Sequence, residues 1–175
     1  MRTEYTIPVK LDAKTFRRFC RFDMLRLRKR WVRPVVFALI LIAFAIVALL
    51  SRKQEAGMIA AVLMVVGVGL PLVYFGSFFS QVNLQVERHQ LKPPRRVYTV
   101  KLNFDGIHVT NNQKDEGQLD VAWKDAQQAF RARDCIYLYI TPVRAFLLPD
   151  GQADCEPEEL WAYIEKHMAE KAKRL

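Results

Sequence analysis

The residue types able to do chemistry are sparse in this chain and share no productive spacing. A zinc site needs paired Cys or His ligands a few residues apart. The three histidines stand far from one another, at His89, His108 and His167. No Gly-x-Ser-x-Gly turn and no phosphate-cradling glycine loop follows a soluble strand. The sequence therefore predicts no metal site, no cofactor, no small-molecule substrate and no enzymatic activity.

The cysteines favour a reducing compartment. Cys20, Cys135 and Cys155 are isolated and form no CxxC pair. An odd number without a framework is not typical of a disulfide-stabilised secreted domain. We expect each cysteine to be a small buried or indifferent residue.

Positive charge in the first 33 residues is the strongest chemical bias. This segment holds eleven Lys and Arg against three acidic residues, whereas residues 80–175 hold fourteen of each. The net charge of +9 therefore comes mainly from one segment. A nucleic-acid-binding protein is expected to carry a basic face on its folded domain, so we predict no nucleic-acid partner.

Cations in such a segment are suited to contact with anionic lipid. Each basic residue close to a negatively charged membrane surface contributes about 1 kcal/mol. The same charges also set membrane orientation, and the sequence leaves both roles open. The predicted membrane-surface residues are Arg17, Arg18, Arg21, Arg26, Arg28, Lys29, Arg30, Arg33, Lys92, Arg95 and Arg96.

Two charge-free apolar runs explain why a membrane is expected. Residues 35–50 and 56–79 form runs of sixteen and twenty-four residues. A hydrocarbon core of about 30 Å needs roughly 20 apolar helical residues. We predict a transmembrane hairpin over residues 32–80, with spans near 33–50 and 56–79. Neither run contains an ionisable residue, which argues against an ion or proton pathway.

The placement of charge predicts the orientation of this hairpin. Lys and Arg accumulate on the cytoplasmic side of membrane helices, and here they flank the pair on both sides. We therefore expect a multi-pass protein of the bacterial inner membrane, with both termini in the cytoplasm. Small residues could let the two helices approach closely, or could simply be common in membrane helices. They recur at Gly57 and Ala61, Gly76 and Ser80, and Ala38 and Ala45.

Residues 1–31 are predicted to form a strand followed by a basic amphipathic helix. Apolar residues alternate from Tyr5 to Leu11, and Pro8 favours an edge position. Asp12 is a candidate N-cap for the helix. Whether the strand joins the C-terminal domain stays open at this point.

Residues 92–175 are predicted to form the cytoplasmic domain. Alternation from Tyr98 through Phe104, followed by Asp105-Gly106, indicates a strand and a hairpin turn. Similar patterns give about six short antiparallel strands. A final amphipathic helix begins at Pro157, and basic residues near the end of the chain complement its dipole. These basic residues are Lys171, Lys173 and Arg174.

Four motifs of the C-terminal domain are Phe104-Asp-Gly-Ile-His-Val, Val121-Ala-Trp-Lys-Asp, Arg133-Asp-Cys-Ile-Tyr-Leu-Tyr-Ile and Ala145-Phe-Leu-Leu-Pro149. In their order and spacing the chain resembles the YcxB-like family over essentially its whole length. The resemblance implies an α+β membrane protein with a two-helix hairpin. It also implies a pleckstrin-homology-like antiparallel β barrel or sandwich, capped by the C-terminal helix. Asp150-Gly151 departs from the basic and aromatic residues that members often carry there. The implied structural core is Phe104, Trp123, Leu138, Phe146 and Trp161.

The resemblance implies a fold and no reaction. We expect a non-enzymatic inner-membrane protein whose cytoplasmic domain binds or regulates another protein, or associates with itself. Its partners are then the bilayer and a protein. An inhibitory or immunity partner of a membrane-acting toxin or enzyme is an alternative, and a sensor of anionic lipid is another.

Overall fold

The structure is a computed structural model that describes residues 4–51, 55–111 and 117–175. The chain is α+β and divides into two compact units. The helical unit comprises Arg17–His89. The β unit combines Met1–Phe16 with Gln90–Leu175. The boundary between the units lies between Phe16 and Arg17, within the predicted N-terminal segment 1–31.

The described residues contain four α-helices and three short helical turns, at Asp23–Leu27, Trp123–Asp125 and Ala169–Lys171. Helix α1 follows the predicted N-cap, since the Thr15 amide donates to Asp12 Oδ1 at 2.9 Å. The first three helices are α1 (Ala13–Phe22), which continues as a π-turn over Asp23–Leu27, then α2 (Val32–Leu50) and α3 (Ala56–Arg88).

Helices α2 and α3 pack against each other as an antiparallel hairpin through small residues. The buried contact positions are Ala38 and Ala45 of α2, and Ala56, Ala60 and Gly67 of α3. Close approach is needed at Gly67, where an added Cβ would lie 3.4 Å from the Ala38 carbonyl oxygen. Of the three predicted pairs of small residues, only the pair Ala38 and Ala45 lies at the contact between α2 and α3. The other four small residues are exposed: Gly57, Ala61, Gly76 and Ser80.

The outer surface of the hairpin is apolar. Leu50, Val65 and Leu72 are 74%, 73% and 68% exposed. The 19 residues of α2 correspond to about 28 Å of helix, close to the thickness of a hydrocarbon core. Both helices have the length and composition to cross a membrane.

The first sheet of the β unit combines one strand that precedes the helical unit with three strands that follow it. Its order is β1-β2-β3-β4, and all neighbours are antiparallel. The strands are β1 (Glu4–Leu11), β2 (Arg95–Asn103), β3 (Gly106–Asn111) and β4 (Leu119–Ala122).

Pairing of β1 with β2 settles the open question about the N-terminal strand. Glu4 is opposite Asn103 and Leu11 is opposite Arg95. Side chains alternate, so that Ile7 and Val9 are fully buried while Thr6 and Lys10 are exposed. The strand is at an edge of the sheet, where Pro8 is tolerated. The helical unit is thus inserted into the β unit.

The second sheet has the order β7-β6-β5-β8. Its strands are β5 (Gln128–Arg131), β6 (Cys135–Tyr139), β7 (Ala145–Pro149) and β8 (Ala172–Arg174), and helix α4 (Pro157–Met168) precedes β8. Strand β8 pairs parallel with β5. The two sheets meet where β1 contacts β7.

The end of α4 corrects the predicted role of the last basic residues. The helix stops at Met168, and Ala169 follows with a left-handed φ of 42°. Lys173 and Arg174 lie in β8 and are not helical, so they do not complement the helix dipole. Arg174 instead pairs with Glu158 at 2.8 Å.

Phe104 is the predicted core residue that the structure contradicts. It is 80% exposed, whereas Trp123, Leu138, Phe146 and Trp161 are all buried. The reason is local, because Asn103 Oδ1 accepts a hydrogen bond from the Gly106 amide and ends the strand one residue early. The alternation therefore stops at Asn103, and Phe104 stands at the tip of the turn.

Candidate functional site

The structure divides the predicted membrane-surface residues between the two units. Eight lie in the helical unit. The other three, Lys92, Arg95 and Arg96, are exposed residues at the start of the C-terminal half of the β unit. Arg95 donates to Gln90 Oε1, and Arg96 donates to Thr99 Oγ1. Both arginines are thus held by neutral partners within their own segment.

Four of the eight cations converge on one cavity of about 510 Å³. Its lining residues, which we call the basic cleft, are Arg28, Lys29, Arg30, Arg33, Pro34 and Tyr74. The first three precede α2, the next two are in its first turn, and Tyr74 comes from α3. The cleft lies where the apolar part of the hairpin begins.

The turn before α2 positions the cations. The Arg28 amide donates to Asp23 O at 2.9 Å, and the Arg30 amide donates to Met24 O at 3.2 Å. Lys29 adopts a left-handed φ of 47°, which is unfavourable for a residue with a Cβ. The chain therefore turns sharply at Lys29 and presents three consecutive cations before entering the helix.

The charge in the cleft is only partly balanced. Arg28 Nε lies 2.9 Å from Asp23 Oδ2, so this guanidinium has a carboxylate partner. No carboxylate of the described residues forms an ion pair with Lys29, Arg30 or Arg33. Three positive charges around one cavity thus remain without a protein counter-ion in the part of the chain that the structure describes.

Two aromatic side chains fix the polypeptide around the cleft. The Tyr74 hydroxyl donates to Arg30 O at 3.4 Å and connects α3 to the turn before α2. The Trp31 indole nitrogen donates to Leu25 O at 3.0 Å. Tyr and Trp are favoured where an apolar ring must sit beside polar groups, as at a membrane interface.

The remaining predicted cations of the helical unit do not line the cleft. Arg17 donates its Nε to Asn83 Oδ1 at 3.0 Å, which connects α1 to the last part of α3. Arg21 and Arg26 are exposed, and Arg18 is half-buried. These residues provide positive charge without forming a cavity.

A second surface feature is a row of rings on the β unit, which we call the aromatic row. Tyr163 of α4 lies between Tyr5 and His167, with ring centroids at 4.9 and 4.4 Å. Trp123 stacks on His167 at 4.9 Å and 28°. Phe104 ends the row at 6.3 Å from His167. Four rings are buried or half-buried, whereas Phe104 projects outward.

Hydrogen bonds hold two rings of the row in place. The Tyr5 hydroxyl donates to Glu159 at 2.9 Å. Burial and this bond to Glu159 raise the pKa of Tyr5 to about 12, so its hydroxyl stays protonated. The Trp123 indole nitrogen donates to Asn103 O. The row was not predicted from the sequence. The four-residue spacing of Glu159, Tyr163 and His167 is a signal that places these three side chains on one face of α4.

One exposed histidine and aspartate pair was not expected from the sequence. His108 Nδ1 lies 2.6 Å from Asp120 Oδ1 across the β3–β4 pair. The hydrogen bond from His108 lowers the pKa of Asp120. The other ring nitrogen, Nε2, lies 3.2 Å from Asn103 Oδ1. These two contacts connect β3 and β4 to Asn103, which begins the turn between β2 and β3.

The cysteines of the chain are Cys20, Cys135 and Cys155. All three are free thiols. Burial, with a smaller effect of Asp23, raises the pKa of Cys20 to about 11. Burial also raises the pKa of Cys135. Both thiols are therefore protonated and poorly nucleophilic at neutral pH. Within residues 4–51, 55–111 and 117–175, no cluster of three potential metal ligands occurs.

Comparison with known proteins adds no assignment. No family model matches the chain, and no curated protein or solved structure matches it significantly. The resemblance to the YcxB-like family therefore stays a prediction.

Proposed function

We propose that this chain is a non-enzymatic membrane protein that anchors its β unit at the cytoplasmic face of a bacterial inner membrane, where the β unit binds a protein. The exposed apolar surface of α2 and α3 carries the anchoring part of this proposal. In water such a surface would be a large aggregation-prone patch. In hydrocarbon the same side chains are in a suitable solvent, and a helix satisfies most of its backbone hydrogen-bonding groups internally.

The fold supports two crossings. Because β1 and β2 pair in one sheet, both ends of the helical unit must return to the same side of the bilayer. An even number of spans satisfies this condition, and α2 and α3 supply two. The concentration of Lys and Arg before α2 supports the cytoplasmic side for both termini.

Phe104 supports the protein-binding part. A phenylalanine that is 80% exposed at the end of an ordered aromatic row resembles the apolar anchors of protein interfaces. The rings behind it limit its movement, so less conformational entropy is lost on binding. The pleckstrin-like barrel also belongs to this proposal, and the contact between β1 and β7 is consistent with it.

Thiol labelling in intact cells tests the anchor. Ser51→Cys places a thiol in the turn after α2, and an impermeant maleimide is expected to label it without lysis. The wild-type chain is the control, because its three cysteines lie outside the two spans and on the cytoplasmic side. Thr110→Cys should react after lysis only. Labelling of the wild-type chain in intact cells would contradict the orientation.

Photo-crosslinking tests the partner. A photoreactive phenylalanine analogue replaces Phe104 in one strain and the exposed Arg133 in another. We expect a discrete crosslinked protein band from position 104 that is absent from position 133. The same band from both positions, or no band from either, would contradict a partner bound at Phe104.

A further inference from the structure

We infer that the basic cleft binds the phosphate groups of an anionic phospholipid, and that a headgroup with two phosphates binds more tightly than one with a single phosphate. This inference rests on the membrane insertion proposed above. It concerns a site in the helical unit and does not involve Phe104.

The first step is the convergence of charge. Positive residues that only set orientation need to be on one side of the membrane, and they need no common cavity. Arg21 and Arg26 fit that description. Lys29, Arg30 and Arg33 differ, because they line one cavity. Lys29 and Arg30 precede α2, and Arg33 lies in its first turn. An anionic ligand needs several positive side chains within reach of one position, and these three residues provide them.

The second step is the missing counter-charge. With Arg28 paired to Asp23, three cations face the cavity without a carboxylate among the described residues. The first turn of α2 also contains no acidic residue, and no side chain caps it. The N-terminus of a helix carries a partial positive charge and favours a negative charge nearby. At the N-terminus of α2 the neighbouring side chains are positively charged as well. An anion in the cleft would relieve this repulsion.

The third step is the identity of the anion. Guanidinium groups bind phosphate oxygens through paired hydrogen bonds, and lysine adds a point charge. The volume of about 510 Å³ lies within the usual range for ligand pockets, about 300–1,000 Å³. Three uncompensated positive charges match a doubly charged headgroup better than a singly charged one.

The fourth step is the source of the phosphate. Pro34 lies in the first turn of α2, and Tyr74 lies within the apolar run of α3. A phosphate held by the cations would therefore have apolar helix surface directly beside it. Acyl chains can follow that surface, whereas a free phosphate ion gains nothing from it. A lipid is thus favoured over inorganic phosphate.

Native mass spectrometry of the full-length protein in a neutral detergent tests the site. Diphosphatidylglycerol, phosphatidylglycerol, phosphatidylcholine and inorganic phosphate are added separately at equal concentration. We expect one-to-one adducts that are most abundant with diphosphatidylglycerol, weaker with phosphatidylglycerol, and at background with phosphatidylcholine. Equal adduct formation with phosphatidylcholine overturns the inference. Displacement of the lipid by equimolar inorganic phosphate overturns the lipid as the source.

Two triple variants separate the cleft from total charge. Lys29→Gln, Arg30→Gln and Arg33→Gln should together weaken diphosphatidylglycerol binding at least about tenfold. Arg21→Gln, Arg26→Gln and Arg88→Gln remove the same charge from exposed positions of the helical unit and should change binding less than about twofold. Equal weakening in both sets contradicts a specific cleft.

Failure of this inference can be told apart from failure of the proposed anchor. Circular dichroism checks that both triple variants keep their helix content, and the lipid preference of the wild-type protein needs no variant at all. Thiol labelling at position 51 reports membrane insertion independently of lipid selectivity. A correctly inserted wild-type protein without lipid preference overturns the cleft alone.

Discussion

The hydroxyl of Tyr98 forms two hydrogen bonds with the backbone of Leu147, one in each direction. It donates to Leu147 O at 3.0 Å and accepts from the Leu147 amide at 2.8 Å. Tyr98 belongs to β2 and Leu147 to β7, so one buried side chain occupies a hydrogen-bonding position on the edge of the other sheet. The Tyr98 ring also contacts Phe146 at 5.2 Å.

Removal of this hydroxyl should destabilise the β unit. In Tyr98→Phe the Leu147 amide and carbonyl stay buried without this partner, which we expect to lower the free energy of unfolding by about 1–3 kcal/mol. Urea unfolding followed by the fluorescence of Trp123 and Trp161 measures the change. Tyr163→Phe is the control, with an expected change within about 0.5 kcal/mol. Equal stability of the two variants would disprove the bridging role.

The N-terminal strand should be as important to stability as any strand of the C-terminal half. Ile7 is fully buried in β1, and Ile7→Ala is expected to cost about 2–5 kcal/mol. The neighbouring Thr6 is exposed on the same strand, so Thr6→Ala should change stability by about 0.5 kcal/mol or less. The same unfolding experiment compares them. If Ile7→Ala leaves the Trp161 transition unchanged, β1 is not part of the sheet in solution.

The tight turn between β2 and β3 should require glycine. An added Cβ at Gly106 would collide with the Val121 carbonyl oxygen on the neighbouring strand. We expect Gly106→Ala to destabilise the β unit by about 1–3 kcal/mol. Gly117→Ala is the matched control, because no atom of the described residues lies within 4 Å of its added Cβ. A destabilisation at Gly117 as large as that at Gly106 would refute the steric explanation.

The hairpin contact should depend on Gly67 and not on Gly69. A leucine at position 67 must displace Ala38 or Ile42 of α2, whereas position 69 faces open space. Gly67→Leu should therefore lower the SDS concentration at which the hairpin separates, and Gly69→Leu should leave it unchanged. Energy transfer between labels at the two helix ends follows the separation. If Gly69→Leu lowered this SDS concentration more than Gly67→Leu, the contact between the helices would lie on another face of α3.

Acid should weaken the start of α1 through Asp12. Burial opposes the charge, but hydrogen bonds from Thr15 outweigh it and hold the pKa below the ordinary 3.8. The stabilisation is therefore complete above pH 3.8 and is lost as pH falls through the lower folded-state pKa. At pH 7, Asp12→Ala should cost about 1 kcal/mol.

The Asp12→Asn variant provides the control for this pH effect. Asparagine caps helices about as well as aspartate but does not titrate. We expect the variant to keep most of the stability at pH 7 and to lose less than wild type as pH falls below 3.8. Identical acid profiles of wild type and Asp12→Asn would exclude a contribution from this carboxylate.

Local patterns predicted much of the fold because local chemistry determines it. The apolar run predicted the bounds of α2 almost to the residue. Asp12 marks the start of α1 through its side-chain cap, and Pro157 marks the start of α4 through its fixed φ. The alternation in β2 predicted its buried face. It failed at Phe104, because a side chain of the preceding residue, Asn103, ends the strand. Periodicity cannot detect such a cap.

The long-range features were not predictable from one sequence. The three-residue strand β8 is too short for a pattern, and helix α4 ends at an alanine in a left-handed conformation. The basic residues were recognised from composition, but the cleft depends on Tyr74, which lies 44 residues beyond Arg30. Only the folded hairpin brings such positions together.

The insertion of the helical unit between β1 and β2 has a consequence for biosynthesis. The ribosome makes β1 first, and about 80 residues must follow before its partner exists, which takes roughly 4–16 s at about 5–20 residues per second. On the membrane anchor proposed above, both helices enter the bilayer during that interval. Under that proposal, a chain that inserts only one helix leaves β1 and β2 on opposite faces, so its sheet cannot form. Completion of the β unit would then act as a check on correct insertion, and an unpaired β1 would expose failed chains to proteolysis.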